Sequence, residues 1–152
     1  MIADQLMLEK AIALATHAHA GQTDKAGKPY ITHPMRVMEQ VDGTEAKITA
    51  ILHDVLEDTD YTAGDLRDIL GLPDNILEAI QLLTRSSGTD YMDYVRRLAV
   101  CPLAAAVKRA DLKDNMDLTR LPRISEKDKK RCEKYRSALK LLSENHCPSN
   151  PN

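Results

Sequence analysis

The segment Ile48-Thr-Ala-Ile-Leu-His53-Asp54-Val-Leu-Glu57-Asp58 decides how this 152-residue chain folds. Its apolar residues repeat at the spacing of one α-helical face, which predicts a helix anchored in a core. These residues are Ile48, Ile51, Leu52, Val55 and Leu56. The other side places His53 one turn before Glu57, and Asp54 one turn before Asp58. A solvated face usually carries long Lys and Glu side chains, so this dense cluster of potential metal ligands favours a functional site over a charged helix end.

The rest of the chain also has the pattern of helices joined by short loops. Apolar periodicity, glycines, prolines and two capping-box patterns mark the helix ends. The predicted helices cover about residues 3–20, 34–43, 44–58, 62–71, 73–83, 91–98, 102–115 and 126–142. No stretch alternates at period two, and no linker divides the chain. The sequence therefore predicts a single-domain, all-α bundle of about seven to eight helices over residues 1–145, with a flexible tail over 146–152.

The composition is that of a soluble globular protein, with 43% hydrophobic and 29% charged residues. A net charge of −2 gives no basic footprint, so neither nucleic acid nor a membrane is an expected partner. No apolar run is long enough for a membrane span and no secretory leader is evident, so we expect the cytoplasm. Three cysteines without metal-site spacing predict neither disulfides nor a zinc site. The oligomeric state stays open, and a homo-oligomer is one option.

Three separate segments supply candidate metal ligands, namely His33, the His53-Asp54 pair and Asp111. Two imidazoles and two carboxylates suit a divalent ion with mixed nitrogen and oxygen ligands. Manganese, iron and nickel fit this preference, and magnesium and zinc are alternatives. Such an ion lowers the pKa of a bound water and shields phosphoryl oxygens. Glu57 and Asp58 would then orient that water or exchange its proton.

The order of these residues resembles the HD-superfamily metal phosphohydrolases. More narrowly, three motifs resemble the hydrolase domain of RelA/SpoT-type alarmone enzymes, over roughly residues 6–120. The motifs are Gly21-Gln-x-x-Lys25-x-Gly27-x-Pro29-Tyr30-Ile31-x-His33-Pro34, Leu52-His-Asp-Val-Leu-Glu-Asp-Thr59 and Val107-Lys-x-Ala-Asp111-x-x-x-Asn115. The resemblance implies an HD-type helical bundle of the short, stand-alone hydrolase kind, because a synthetase would need a second domain.

The resemblance also implies an activity and a set of site residues. The activity is metal-dependent hydrolysis of the 3′-diphosphate of guanosine 3′,5′-bis(diphosphate), an alarmone, with release of pyrophosphate. The implied metal ligands, typically for Mn²⁺, are His33, His53, Asp54 and Asp111. The implied catalytic acidic pair is Glu57 and Asp58. The residues expected to bind the substrate are Lys25, Tyr30, Thr84, Arg85 and Asn115, and the basic side chains considered for its remaining phosphates are Lys25, Lys28, Lys108, Arg109 and Lys113.

Some positions depart from the family pattern. Asp24 replaces an Arg that commonly stacks on guanine, and Ala26 replaces a Ser. The segment 112–114 also differs beside Asp111. These departures favour, as an alternative, an HD phosphohydrolase of another nucleotide or phosphate ester. A non-catalytic nucleotide sensor is a further alternative. Outside the site, His17 and His19 are expected to be structural or partly exposed, and Asp114 and Asp117 to be solvated rather than catalytic.

Overall fold

The computed structural model describes residues 2–144, with side chains from residue 4 onward. Within this range the backbone forms nine α-helical segments and one 3₁₀ turn, and eight of the segments span at least eight residues. The segments are α1 (Ile2–Ala18), α2 (Thr32–Glu39), α3 (Thr44–Leu52), α4 (Val55–Asp58), α5 (Ala63–Leu70), α6 (Asp74–Leu83), α7 (Tyr91–Ala99), α8 (Pro102–Asn115) and α9 (Glu126–Glu144). Residues 2–144 contain no β-strand, and one isolated bridge joins Thr23 to Pro29. The predicted all-α bundle is confirmed.

Helix α3 lies at the centre because it packs into both apolar clusters of the core. Ala46 and Ala50 belong to the cluster that includes residues of α2, α6, α7, α8 and α9. Ile48, Ile51 and Leu52 belong to the second cluster, with residues of α1, α5 and α6. Removing these aliphatic side chains from water provides the main driving force for packing α3 between the two clusters. The apolar stripe of Ile48, Ile51 and Leu52 therefore lies in the core.

The predicted continuous helix over residues 44–58 is wrong, because the chain breaks it at His53 and Asp54. Helix α3 ends at Leu52, and the four-residue α4 begins at Val55. Asp54 has φ −104° and ψ −1°, in the bridge region where many site residues lie. At the break the backbone N–H of His53 bonds to the Ala50 carbonyl instead of continuing the α-helical pattern. Val55 is still buried, so apolar periodicity alone does not reveal the break.

Local capping signals predict most of the other helix ends correctly. Thr62 and Asp65 exchange hydrogen bonds of 2.9 and 3.1 Å in a capping box, and α5 ends at Leu70, followed by Gly71 with φ +67°. Ser125 and Asp128 form the second box before α9, with bonds of 2.8 and 3.2 Å. Helix α2 begins at Thr32, two residues before the predicted start. Its proline falls in the first turn, where a backbone N–H has no partner within the helix.

Two expectations concern the ends of the chain and its membrane propensity. The predicted tail over 146–152, and the end of the domain at 145, lie outside the described residues and stay predictions. Among the described helices, none has both the length and the apolar character that a membrane crossing requires.

Candidate metal centre and adjacent clefts

Three helical elements bring the predicted metal ligands together. His33 lies in α2, Asp111 lies in α8, and His53 and Asp54 form the break between α3 and α4. His33, His53 and Asp54 each have a ligand atom within 4.8 Å of the other two. Asp111 Oδ1 lies 2.9 Å from His33 Nε2 and 3.3 Å from His53 Nε2. Asp54, at the break, completes this group, and its Oδ2 lies 3.1 Å from His53 Nε2.

The Nδ1 atoms of His33 and His53 each have a hydrogen-bond acceptor that fixes the tautomer of the neutral ring. His53 Nδ1 donates to the Ala50 carbonyl at 2.6 Å. His33 Nδ1 donates to Asp114 Oδ2, also at 2.6 Å. In each neutral ring the Nε2 lone pair then faces the carboxylates. A backbone carbonyl or a carboxylate behind the imidazole is the usual arrangement around metal-binding histidines.

The arrangement of donors fits a divalent cation. With Nδ1 protonated, neutral His33 and His53 present lone pairs to carboxylate oxygens, which also only accept hydrogen bonds. Lone pairs this close repel unless a positive charge lies between them. Burial lowers the pKa of His33, but its bonds to Asp111 and Asp114 outweigh burial and raise the pKa to about 9. A divalent ion held by two imidazoles and two carboxylates would offset the negative charge of these carboxylates in place of the proton on His33.

Asp114 contacts the candidate ligand His33 and is not solvated, so the sequence expectation for it is wrong. Its side chain is only 9% exposed. Besides accepting from His33, it accepts two hydrogen bonds from Arg36, at 2.8 and 3.1 Å. Burial raises the pKa of Asp114, while His33 and Arg36 lower it more strongly, to about 2. Asp117, one turn further, is exposed as expected and pairs with Arg120.

Asp111 is held by partners on its own helix. The buried Lys108 donates to Asp111 Oδ2 at 2.9 Å, and Asn115 donates to Oδ1 at 3.1 Å. Burial opposes ionisation of Asp111, but Lys108 and the two imidazoles keep its pKa well below the usual value. Lys108 is thus paired with a carboxylate, and its contact with a substrate phosphate stays a prediction.

Tyr30 positions Asp54 from the loop before α2. Its hydroxyl donates to Asp54 Oδ2 at 2.5 Å, and its ring lies 5.7 Å from that of His33. Burial and the nearby carboxylate of Asp54 raise the pKa of Tyr30, so the phenol stays protonated as a donor. Burial raises the pKa of Asp54, but the adjacent imidazoles outweigh this and lower it to about 2.

The acidic pair Glu57 and Asp58 is exposed at the end of α4, and each residue accepts one hydrogen bond from outside the helix. Glu57 Oε1 accepts a hydrogen bond of 2.6 Å from the backbone N–H of Arg85. Gln22 donates to the Asp58 carbonyl at 3.0 Å, and Gln22 is itself bonded to the buried His19. Partial burial and the charge of Asp54 raise the pKa of both carboxyl groups. A carboxyl group with a raised pKa is better suited to exchanging a proton near neutral pH.

Two adjoining clefts open from the metal-ligand cluster. The first, here called the metal cleft, has a volume of about 310 Å³ and contains Asp54, Glu57, Asp58 and Asp111. The second, the outer cleft, has a volume of about 390 Å³. The residues that line both are Tyr30, His33, Asn115 and Tyr135. The outer cleft carries four cationic side chains, which are Lys25, Arg36, Arg120 and Arg131, and four aspartates. The three arginines each pair with an aspartate of the same cleft.

The predicted substrate-binding residues are distributed unevenly around these clefts. Lys25 lines the outer cleft, Arg85 lines the metal cleft, and Tyr30 and Asn115 line both. Thr84 lines neither of the two, and its hydroxyl donates to the Ile80 carbonyl at 2.8 Å. Their contacts with a substrate stay predictions.

Asp24, the main departure from the family pattern, has a structural role in the loop that borders the outer cleft. Its Oδ1 accepts hydrogen bonds from the backbone N–H groups of Ala26 and Lys28, each at 2.9 Å. An aspartate commonly stabilises a tight turn in this way. The loop therefore presents a carboxylate to the outer cleft where an arginine is expected.

Comparisons with known proteins identify similar enzymes. A GTP pyrophosphokinase of Streptomyces antibioticus is 33% identical over 81% of this chain and 16% of that protein. The bifunctional (p)ppGpp synthase/hydrolase SpoT of Escherichia coli K12 is 43% identical over 42% of this chain and 10% of that protein. A guanosine-3′,5′-bis(diphosphate) 3′-pyrophosphohydrolase of Aquifex aeolicus is 28% identical over 72% of this chain and 17% of that protein. The chain spans less than a fifth of the length of these relatives.

A solved structure has the same fold. It is described as a metazoan ortholog of SpoT that hydrolyzes ppGpp, and it matches 96% of this chain and 88% of its own with a TM-score of 0.72. The sequence identity is 21%, so this likeness concerns the fold. No protein-family model matches the chain. In fold and in sequence the chain resembles the hydrolase domain of RelA/SpoT-type HD proteins, and the resemblance predicted from its motifs is confirmed.

Proposed function

We propose that this chain is a metal-dependent phosphohydrolase that releases pyrophosphate from the 3′ position of guanosine 3′,5′-bis(diphosphate). The observation that carries the proposal is the convergence of two imidazoles and two carboxylates beside an exposed acidic pair with raised pKa values. The similar enzymes from Escherichia coli and Aquifex aeolicus carry names for this reaction. The adjoining outer cleft offers space for the rest of the nucleotide, and among its cations Lys25 has no carboxylate within 4.0 Å over residues 2–144.

His33, His53, Asp54 and Asp111 would hold the ion, and we propose Mn²⁺ because it accepts mixed nitrogen and oxygen ligands. When bound, the ion would acidify a water molecule and offset charge on the phosphoryl oxygens.

The chain's own residues would handle the proton and the leaving group. Glu57 or Asp58 would accept a proton from the attacking water as its oxygen bonds to phosphorus. The bond between that phosphorus and the 3′ oxygen breaks, and a proton returns to the 3′ oxygen. The products are pyrophosphate and guanosine 5′-diphosphate. Asn115, already bonded to Asp111, would keep the nucleotide next to the ligand cluster.

A second candidate substrate is a nucleotide with a different base. Asp24 supports it, because an aspartate beside the outer cleft cannot stack on guanine as the arginine expected at this position does. Comparing guanosine and adenosine 3′,5′-bis(diphosphates) under identical conditions would decide between them.

The test is pyrophosphate release from guanosine 3′,5′-bis(diphosphate) with Mn²⁺, for the parent, for Asp54→Ala and for the exposed control Asp68→Ala. We expect release by the parent and the control, and loss of metal-dependent turnover in Asp54→Ala. No release by the metal-loaded parent would reject this substrate. Equal release by all three proteins would reject the site. Tight nucleotide binding without turnover would favour a sensor.

A further inference from the structure

The metal cleft has one wall that the reaction described above does not use. Tyr91, the first residue of α7, lies in this wall, and its hydroxyl oxygen is buried without a hydrogen-bond partner in the described part of the chain. A buried hydroxyl without a partner costs stability, so native proteins usually pair it with water, a protein group or a ligand. The Tyr91 hydroxyl therefore needs a partner that residues 2–144 do not supply.

Cationic side chains gather around the same ring. Lys134 Nζ lies 4.5 Å from the Tyr91 ring centroid, and Arg85 Cζ lies 5.3 Å from it. Over residues 2–144 neither cation has a carboxylate within 4.0 Å, and the Arg85 guanidinium donates only to the Thr89 carbonyl. Burial and the neighbouring positive charges of Arg85, Arg131 and Lys108 lower the pKa of Lys134. Like charges held together without acidic partners attract an anion.

The metal cleft also carries acidic side chains. Asp54, Glu57 and Asp58 line it, and the buried Lys108 is already paired with Asp111. A ligand that fits a cleft of about 310 Å³ and meets both the metal-ligand cluster and cations without acidic partners is small and strongly anionic. A diphosphate has this chemistry, because its charge is shared by two phosphates, of which one would meet the ligand cluster, where a divalent ion would offset the carboxylates, and the other the cations.

We propose that the Tyr91 hydroxyl and the Lys134 ammonium bind the diphosphate that leaves, a proposal that rests on the function proposed above. The Tyr91 O–H donates to a phosphate oxygen, and Lys134 supplies charge at the same oxygen or at a neighbouring one. Arg85 completes the wall from the loop whose backbone holds Glu57. The subsite thus binds pyrophosphate itself, as well as the substrate that carries it.

A purely structural role is the competing explanation, since the Tyr91 ring also packs 6.3 Å from the ring of Tyr135 in α9. Tyr91→Phe separates the two explanations, because it keeps the ring and removes only the hydroxyl. Lys134→Gln removes the charge at an exposed position. Matched controls are Tyr61→Phe, which is outside both clefts, and Lys140→Gln, which is 77% exposed on the same helix as Lys134.

The experiment is calorimetric titration of the Mn²⁺-loaded protein with inorganic pyrophosphate, both solutions holding the same Mn²⁺ concentration so that chelation heat cancels. We expect Tyr91→Phe and Lys134→Gln each to weaken pyrophosphate binding about tenfold or more, with both controls at the parent value. The urea midpoint of Tyr91→Phe should equal or exceed that of the parent, because the change removes an unpaired buried hydroxyl.

Three outcomes overturn the subsite. They are no pyrophosphate binding by the parent, unchanged binding by both cleft variants, and a lower urea midpoint for Tyr91→Phe that accounts for its weaker binding. The titration does not depend on turnover. If the parent binds pyrophosphate through these residues yet releases none from guanosine 3′,5′-bis(diphosphate), the subsite stands and the choice of substrate fails.

Discussion

Replacing Asp114 with asparagine tests whether a carboxylate that contacts a metal ligand, without being one itself, controls metal affinity. The Asp114 carboxylate accepts from His33 Nδ1 at 2.6 Å and from Arg36 at 2.8 Å. The amide of Asp114→Asn would keep an oxygen for the imidazole N–H, so the ring keeps its tautomer, but the negative charge that increases the basicity of His33 Nε2 is lost. Changes of this kind typically weaken metal binding 10- to 100-fold, about 1.4–2.7 kcal/mol.

The assay is calorimetric titration with Mn²⁺ of the parent, of Asp114→Asn and of the control Asp117→Asn. Asp117 is a fair control because its carboxylate is 45% exposed and pairs with Arg120. We expect only Asp114→Asn to bind Mn²⁺ more weakly, and its circular dichroism spectrum to match that of the parent. Parent-like affinity in Asp114→Asn would refute the assigned role of the carboxylate, and equal losses in both variants would reduce it to a general charge effect.

Three other predictions concern the acidic pair, acid stability and the core. Burial and the nearby Asp54 raise the pKa of Glu57, so turnover should fall as the pH drops through that raised pKa. Glu57→Gln should remove this acidic limb from the pH–rate profile, and an unchanged limb would point to another base. The folded-state pKa of Asp114, about 2, is below its unfolded value, so its stabilisation is complete above about pH 4 and is lost between about pH 4 and 2. Acid unfolding of Asp114→Asn should be flatter across that window, and identical curves would contradict the shift. Ile51→Ala should lower the free energy of unfolding by about 2–5 kcal/mol in urea titrations, because Ile51 is fully buried between helices; a loss near zero would mean that the core closes over the cavity.

Much of the fold follows from local patterns in the sequence. The capping boxes at Thr62 and Ser125 and the apolar stripe through Ile51 each depend on residues within a turn or two, so short-range rules find them. The break at His53 was missed for the same reason. Apolar spacing continues through Val55. The helix is interrupted where His53 contacts Asp111 and Asp54 contacts Tyr30, and both of these partners lie far away along the chain.

The candidate ligands could be predicted as a set, since their order along the chain resembles a known family. Their supporting partners could not. Asp114 lies 81 residues from His33, and nothing around it distinguishes it from the exposed Asp117. Lys108 likewise has the pattern of a surface lysine until α8 is packed against its neighbours. Burial depends on the tertiary arrangement, which a local pattern does not contain.

The hold on Glu57 has a consequence for how this site can diverge. Its carboxylate is tethered by the main-chain N–H of residue 85, a donor that every amino acid except proline supplies. The side chain at position 85 can therefore change, during evolution or in the laboratory, without releasing the acid. Anion binding by the Arg85 side chain and proton handling by Glu57 are separable at this one position, so a library at residue 85 that excludes proline would alter the anion-binding wall while the acid keeps its hydrogen bond.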